Sequence, residues 1–534
     1  MFREVTAPAS NSSRWKSITI CTGASASTLQ DIKVPESCGG YSYLDSGLAA
    51  SGVRNRFIYW RTYQDVLELV EESMDTTLSG NMVRYRFQDS PILPGVSIHE
   101  VRGNVVVLVP TVASIHRLVF PHPSQMVRQQ TFVLTEQVTS SIFYDVSMPD
   151  DPRNQYLLAP GGSINAQLVR AASCVQEDGH TLFAVATTTG TILLVTMPPL
   201  GVNGTILQQE MSCSSVMKKL WNGLIPGNMR GGQPAGESAV SLDFVFLGSD
   251  VYIFTACRDF RMRVWSTKTK ECVLVENLLD FTSKEAEDAG NPVSYSGSGH
   301  VLKTILGGNP GNVCVFLSLQ NQAKFVFLSP VIKNNRLKME HLTTLDKSPL
   351  EDLVDFVVTE EFLLSLWTTQ TGDTQVLAVP LAQQDRNQVL EWESVHLSQE
   401  LDQVVVPQNR DPREFFLAKI FSPGLFSAQD IIRALSVYRR CAAPAVESEA
   451  FFNMAALREE VTNAVDTEIR NSVSDYEIQE EEYVDIQREQ WEKLYSCCCQ
   501  YNQVGGKPKG LFADPITGLF GIIKKVSLLT FCVL

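Results

Sequence analysis

The chain has 534 residues, 44% of them hydrophobic, with a formal net charge of −15. That length exceeds one ordinary core and that composition is globular, so two or more domains are expected and a wholly disordered chain is excluded. Basic residues are scattered, with local pairs at Lys218-Lys219, Arg439-Arg440 and Lys524-Lys525, so no direct nucleic-acid binding is expected; a groove would want them grouped on one face.

Residues 1–40 are rich in Ser and Thr and read as a disordered N-terminal segment without the apolar core of a secretory signal. A reducing compartment fits the cysteines. Most of the 12 are single and lie inside apolar runs, as at Cys257, Cys272 and Cys314, where Cys acts as a small hydrophobe.

From about residue 55 to 405 one pattern recurs: an apolar run, a polar turn, a second apolar run. It appears in RFIYWRTYQDVLELVE (56–71), NVVVLVPTVASIHRLVF (104–120), TLFAVATTTGTILLVTM (181–197), NVCVFLSLQNQAKFVFLSP (312–330) and EFLLSLWTTQTGDTQVLAVPL (361–381). The clearest unit, VYIFTACRDFRMRVWSTKTKECVLV (251–275), has the form of the inner part of a β-propeller blade. Asp259 sits in its first turn, where a short carboxylate accepts from nearby backbone N–H groups. Trp265 ends the next strand, followed by Ser266 rather than Asp. The spacing is irregular and wider than the ~40–45 residues of a compact WD repeat. The expectation for 41–410 is therefore a degenerate WD-type β-propeller; an ordinary β fold of hairpins is the alternative. The run from Val105 to Phe120 is broken by Pro110, His116 and Arg117, and no transmembrane segment is expected.

Within this region, SVMKKLWNGLIPGNMRG (215–231) places Val216, Met217, Leu220, Trp221 and Leu224 at helical spacing. Lys218, Lys219 and Asn222 fall on the other side, and Pro226-Gly227 ends the stretch. That is the pattern of a short amphipathic helix lying in a membrane interface, with Trp at the headgroup boundary. The other reading is a stripe packed onto the propeller's own side.

Between 411 and 503 the period moves from two to about 3.6. Ser427 with Asp430, and Ser474 with Glu477, read as capping boxes. Ile431, Leu435 and Tyr438 share one face; Leu457, Val461, Val465 and Ile469 form a second stripe; Tyr483, Ile486, Leu494, Cys498 and Tyr501 form a third. A bundle of three or more helices is expected, inserted late in the propeller or following it. Gly505-Gly506-Lys507-Pro508 breaks it, and residues 504–534 return to strand pattern, as if completing the last blade.

Residues for chemistry are sparse. The seven histidines show no metal-ligand spacing, and the side chains of Cys497, Cys498 and Cys499 would point in different directions on a helix. No phosphate-binding loop and no Gly-x-Ser-x-Gly elbow is present, and Ser296–His300 reads as an inter-blade loop. No catalytic, cofactor-binding or metal residue is expected, and the chain does not read as an enzyme.

PILPGVSIHE (91–100), HRLVFPHPSQM (116–126), CRDFRMRVWS (257–266), DPREFFLAKIFSPGLFS (411–427), EEVTNAVDTEIRNSVSDYEIQEEEY (459–483) and CCCQYNQ (497–503), with 55–71 and 214–231, are long collinear stretches. Through them the chain resembles the nucleoporin 160 family, scaffold subunits of the Y-shaped complex of the nuclear pore. The resemblance runs from about Asn55 to Gln503. It implies a seven-bladed propeller with an intimately joined helical domain, then a long helical solenoid; the chain stops at Leu534 without the solenoid, as expected of an N-terminal portion or short isoform. It implies a structural role in the outer ring at the nuclear envelope, supporting mRNA export and protein import. The partners it implies are other Y-complex nucleoporins, including a small propeller subunit, with peripheral contact to the pore membrane. The alternative from the residues alone is a propeller adaptor for peptides or ubiquitin-pathway partners.

Overall fold

The computed structural model describes residues 2–6, 15–23, 32–45, 54–73, 78–126, 139–146, 151–159, 167–212, 237–282, 299–347 (save 308, 310, 320–322 and 335), 352–369, 374–381, 392–395, 406, 410–421, 426, 428–439, 454–472, 480–505 and 508–532 (save 515, 517, 518, 525 and 526). Among these residues the strands form seven sheets of four or five strands and one two-stranded pair.

Sheet 1 comprises Ser37–Tyr43, Arg56–Tyr63, Val66–Ser73 and Met82–Phe87, with Lys16–Ile20 added in parallel beside Met82–Phe87. Sheet 2 comprises Ser97–Val101, Asn104–Pro110, Ser114–Pro121 and Gln155–Leu157. Sheet 3 comprises Leu168–Val175, Thr181–Thr187, Ile192–Met197 and Leu207–Met211. Sheet 4 comprises Ala239–Leu247, Asp250–Cys257, Arg261–Ser266 and Cys272–Asn277. Sheet 5 comprises Val301–Thr304, Val313–Ser318, Ala323–Lys333 and Arg336–Lys347; sheet 6 comprises Asp352–Val358, Phe362–Thr368, Thr374–Pro380 and Glu393–Ser394. Sheet 7 comprises Pro508–Ala513, Leu519–Lys524 and Ser527–Cys532, with Phe2–Thr6 pairing antiparallel to Ser527–Cys532. The sequence therefore meets itself in sheet 7. The first 40 residues, which composition reads as disordered, contribute the strands Phe2–Thr6, Lys16–Ile20 and most of Ser37–Tyr43. Their partners supply the order that their own composition does not.

Burial explains the patterning. Second strands are covered on both faces, so Val105–Val109 and Leu182–Ala186 are buried without interruption. Outer strands face water on one side, and Cys272–Asn277 leaves Val273 and Val275 exposed. Recurrent turns join neighbouring strands: the hydroxyls of Thr111 and Thr187, at the ends of second strands, and of Thr359, after a first strand, donate to the carbonyls of Ser114, Thr191 and Phe362 at 2.9, 3.0 and 3.3 Å. The hairpin Val101–Asn104 turns on Arg102 and Gly103, both at positive φ, the geometry that a two-residue turn needs.

Apolar clusters join the sheets in a cycle. Tyr85 and Phe87 meet Ile98 and Phe120 between sheets 1 and 2, and Leu108 meets Phe183 between 2 and 3. Leu194 meets Phe244 between 3 and 4, and Phe254 meets Val315 between 4 and 5. Phe325 meets Phe356 between 5 and 6, Leu366 meets Leu511 between 6 and 7, and Phe512 meets Phe57 between 7 and 1. The first strands add polar ties across these seams. Ser97 and Ser173 hydroxyls lie 2.8 Å apart, the Asp243 carboxylate accepts from the Thr304 amide at 3.3 Å, and the Asp355 carboxylate accepts from the Leu511 amide at 3.1 Å. The architecture is a β-propeller.

Among the described residues, four helices carry a separate core: α1 Pro412–Ile420, α2 Ala428–Tyr438, α3 Met454–Ser472 and α4 Glu480–Gly505. Asp411 caps α1, accepting from the Arg413 amide at 2.9 Å, with Pro412 opening the first turn. Ile431, Leu435 and Tyr438 of α2 and Leu457, Val461, Val465 and Ile469 of α3 are buried together. On α4 the buried face is Trp491, Leu494, Tyr495 and Cys498, while Tyr483, expected on the same face, is exposed. At 26 residues α4 is longer than α3 at 19, so its first turns run past the shared core. Ser427, Ser474 and Glu477 lie outside the described residues.

Candidate interaction surface

Asp259 and Trp265 serve the fold of sheet 4. The Asp259 carboxylate accepts from the Arg261 amide at 3.2 Å and from both Nη groups of Arg263, at 2.9 and 2.6 Å. It thereby fixes the turn that starts the third strand. Trp265 is buried at the seam of sheets 3 and 4, among Ile253, Leu242 and Met211. The expected amphipathic stripe of Val216, Met217, Leu220, Trp221 and Leu224 lies outside the described residues.

A buried ionic network stands where the sequence shows only alternating charge. Arg56 donates to Asp45 at 2.9 Å and to Glu71 at 3.1 Å. Glu71 also accepts from the Tyr43 hydroxyl, the Ser141 hydroxyl and the Ile142 amide. The network ties residues 141–142 to sheet 1, next to the short pair Leu78–Ser79 and Thr139–Ser140. Glu72 beside it is pushed up to about 8, first by burial and then by the Glu71 charge. Polarity alone would have placed these groups on the surface; the register sets Arg56 opposite Ser73 and Glu71 opposite Ile58, so the two charges are diagonal neighbours on one buried face.

Burial shifts the histidines and thiols inside the ring toward their neutral forms. Burial lowers His99 and His300 to about 4 and His116 to about 3, keeping all three neutral. Burial pushes the Cys38 thiol up to about 12 and holds Cys174 and Cys314 well above the ordinary thiol range. A thiol so shifted is a poor nucleophile. Among the described residues, no group of His, Cys, Asp and Glu is placed to hold a metal ion, and no helix is long and apolar enough to cross a membrane.

What the molecule does present is shaped surface. In sheet 5 the pairing of Val313 with Leu328 is the last of its seam, yet the outer two strands continue through Ser329–Glu340 to Lys333–Arg336. This arm exposes Ile332 and Lys338 while Met339 is buried against sheet 4 residues. A scaffold of this kind offers loops and edges as docking points, held in place by a rigid β core.

Similarity to known proteins places this architecture. The β-propeller domain of nucleoporin Nup120/160 matches residues 56–532. The chain is 32% identical over 524 residues to nuclear pore complex protein Nup160 of Mus musculus, covering 96% of this chain and 36% of that protein. It is 31% identical over 519 residues to nuclear pore complex protein Nup160 of Homo sapiens, covering 96% and 35%. It is 32% identical over 515 residues to the Nup160 homolog of Drosophila melanogaster, covering 96% and 35%. The chain thus spans about a third of the length of these curated relatives. By a match that takes in the propeller sheets and the helices between sheets 6 and 7 alike, the chain belongs to the Nup120/160 β-propeller family of nucleoporins.

Proposed function

We propose that this chain is a non-enzymatic architectural platform of the nuclear pore, part of an outer-ring coat at the nuclear envelope that supports mRNA export and protein import. The observation that carries the reading is the family match across 56–532, joined to relatives whose names are those of nuclear pore complex proteins. The buried, neutral histidines and high-pKa thiols agree with a structural rather than catalytic role. We read the seven large sheets as seven blades, with residues 411–503 as a helical block inserted before the last and the strands after 504 completing it. Partners would be other Y-complex nucleoporins, including a small propeller subunit, engaged through loop tips and the helical surface.

The reading is tested by pulling this chain from cell extract and quantifying co-purifying proteins by mass spectrometry. Nucleoporins in fixed ratio, with a rim of fluorescence at the nuclear envelope for the tagged chain, are expected. Recovery of chaperones without nucleoporins would overturn it.

The stretch 215–231 is proposed as a peripheral membrane contact on its sequence pattern of Val216, Met217, Leu220, Trp221 and Leu224 opposite Lys218 and Lys219. Liposome flotation that improves with vesicle curvature is expected. Flotation unchanged after Trp221→Asp with Leu224→Asp would remove the segment from the account.

A further inference from the structure

The face that sheet 1 turns toward sheet 7 has two unlike halves. Residues of one parity share a face of a strand. Phe57 and Tyr59, Val70 and Met82 form the apolar half, and Phe512 and Ile523 of sheet 7 seat against it. Two steps along the same strands, the register sets Arg61 opposite Glu68, Glu68 opposite Arg84 and Arg84 opposite Ser17. The next row sets Tyr63, Val66, Arg86 and Thr19 side by side. Here the sheets part, leaving a cleft of about 730 Å³ whose opposite wall carries Lys509.

The cations that line this cleft outnumber its lining carboxylates. Glu68 is shared by two guanidiniums, accepting from Arg61 Nε at 2.8 Å and from Arg84 Nη2 at 2.6 Å. Arg86 is 65% exposed and meets Asp65 through Nε alone, at 2.9 Å. Lys509 has no carboxylate partner among the described residues. Four cations line the cleft against the carboxylates of Glu36 and Glu68, in a chain whose net charge is −15. Tyr63 stands 62% exposed at the same place, and the Trp15 ring lies 4.9 Å from the Arg84 guanidinium.

We propose that this cleft docks an extended acidic segment of a partner protein. Arginine, tyrosine and tryptophan are the side chains that anchor protein interfaces, and guanidiniums bind carboxylates through paired hydrogen bonds. One wall is the strand Lys16–Ile20, whose second edge pairs with no strand among the described residues. Its main-chain groups suit an extended peptide. The open strand edge favours a peptide over a nucleic acid, whose phosphate backbone has no N–H to pair with the strand carbonyls.

The test measures binding of a fluorescein-labelled peptide of alternating Glu and Ser to the full chain by anisotropy, against a Lys-Ser peptide and an oligouridine. The expected result is saturable binding of the acidic peptide, weakened by salt, with affinity lowered about tenfold or more in Arg86→Glu with Lys509→Glu. The neutral pair Arg86→Gln with Lys509→Gln is expected to fall between, and decides the matter if the reversed pair fails to fold as judged by near-UV circular dichroism. Equal affinity in folded variants and wild type, or no binding above the Lys-Ser peptide, would overturn the proposal. Preferential, variant-sensitive binding of oligouridine would replace the peptide with a nucleic acid and overturn it equally.

Discussion

The seam between sheets 5 and 6 and the seam between sheets 7 and 1 join neighbours in the same ring by different means. At the first, Phe316, Phe325, Phe356 and Trp367 interlock, with Phe325 and Phe356 centroids 5.3 Å apart and edge-on. The two sheets follow each other in the chain, and their shared face is largely apolar, with the Lys303–Asp355 ion pair joining the first strands. At the second, the partners come from opposite ends of the chain. The contact there relies on close approach: a Cβ on Gly40 would stand 2.9 Å from the Phe512 ring, and one on Gly510 would stand 2.7 Å from Cys38 Cβ. The same face then turns charged and opens into the cleft. The difference teaches that a ring need be sealed only over part of its closing seam. The unsealed part becomes surface with fixed geometry, available to a partner.

The largest effect is expected inside sheet 1. Arg56→Ala leaves Asp45 and Glu71 buried without their cation and should lower unfolding free energy by about 3–5 kcal/mol in urea titration. If the loss is below 1 kcal/mol, on the order expected of a surface pair, the network does not hold the first sheet. Next come the aromatic anchors. Trp367→Ala and Phe512→Ala should each cost about 3–5 kcal/mol. They should differ in reach: Trp367→Ala loosens sheets 5 and 6, whereas Phe512→Ala loosens both chain ends. Gly510→Ala should cost about 1–3 kcal/mol by crowding Cys38, while Gly201→Ala, with open space around it, should carry only the strain of its positive φ, about 1 kcal/mol.

A smaller effect concerns pH. The folded state holds the Glu72 proton up to about pH 8, whereas the unfolded carboxyl loses it near its ordinary value of 4.5. Across that window the native chain binds more protons, so stability falls as pH rises and levels off above about 8. Glu72→Gln should flatten this slope, raising the melting temperature at pH 8 more than at pH 5. An unchanged slope would mean that Glu72 is ionised in the folded chain.

Much of the fold is legible in the residues. Runs such as Val105–Val109 announce strands covered on both faces, and Leu457, Val461, Val465 and Ile469 mark the buried stripe of α3. The Asp259 turn is readable because its bonds are local. The closing seam is not readable in this way. Phe2–Thr6 pairs with residues more than 500 positions away, and Lys16–Ile20 joins Met82–Phe87 in parallel, a pairing that leaves no turn in the sequence. The cleft is hidden for the same reason. Arg61, Arg84, Arg86 and Lys509 are scattered charges until strand register brings them into one place.

The central claim is that the ring closes where sheet 7 packs on sheet 1. Hydrogen exchange followed by mass spectrometry, on the wild-type chain and on Phe512→Ala, addresses it directly. The account predicts that amides of Ser37–Tyr43 and Pro508–Ala513 lose protection together, while those of Asp250–Cys257 keep theirs. Loss confined to Pro508–Ala513, with Ser37–Tyr43 unchanged, would show that the two sheets do not support each other and would contradict the closure.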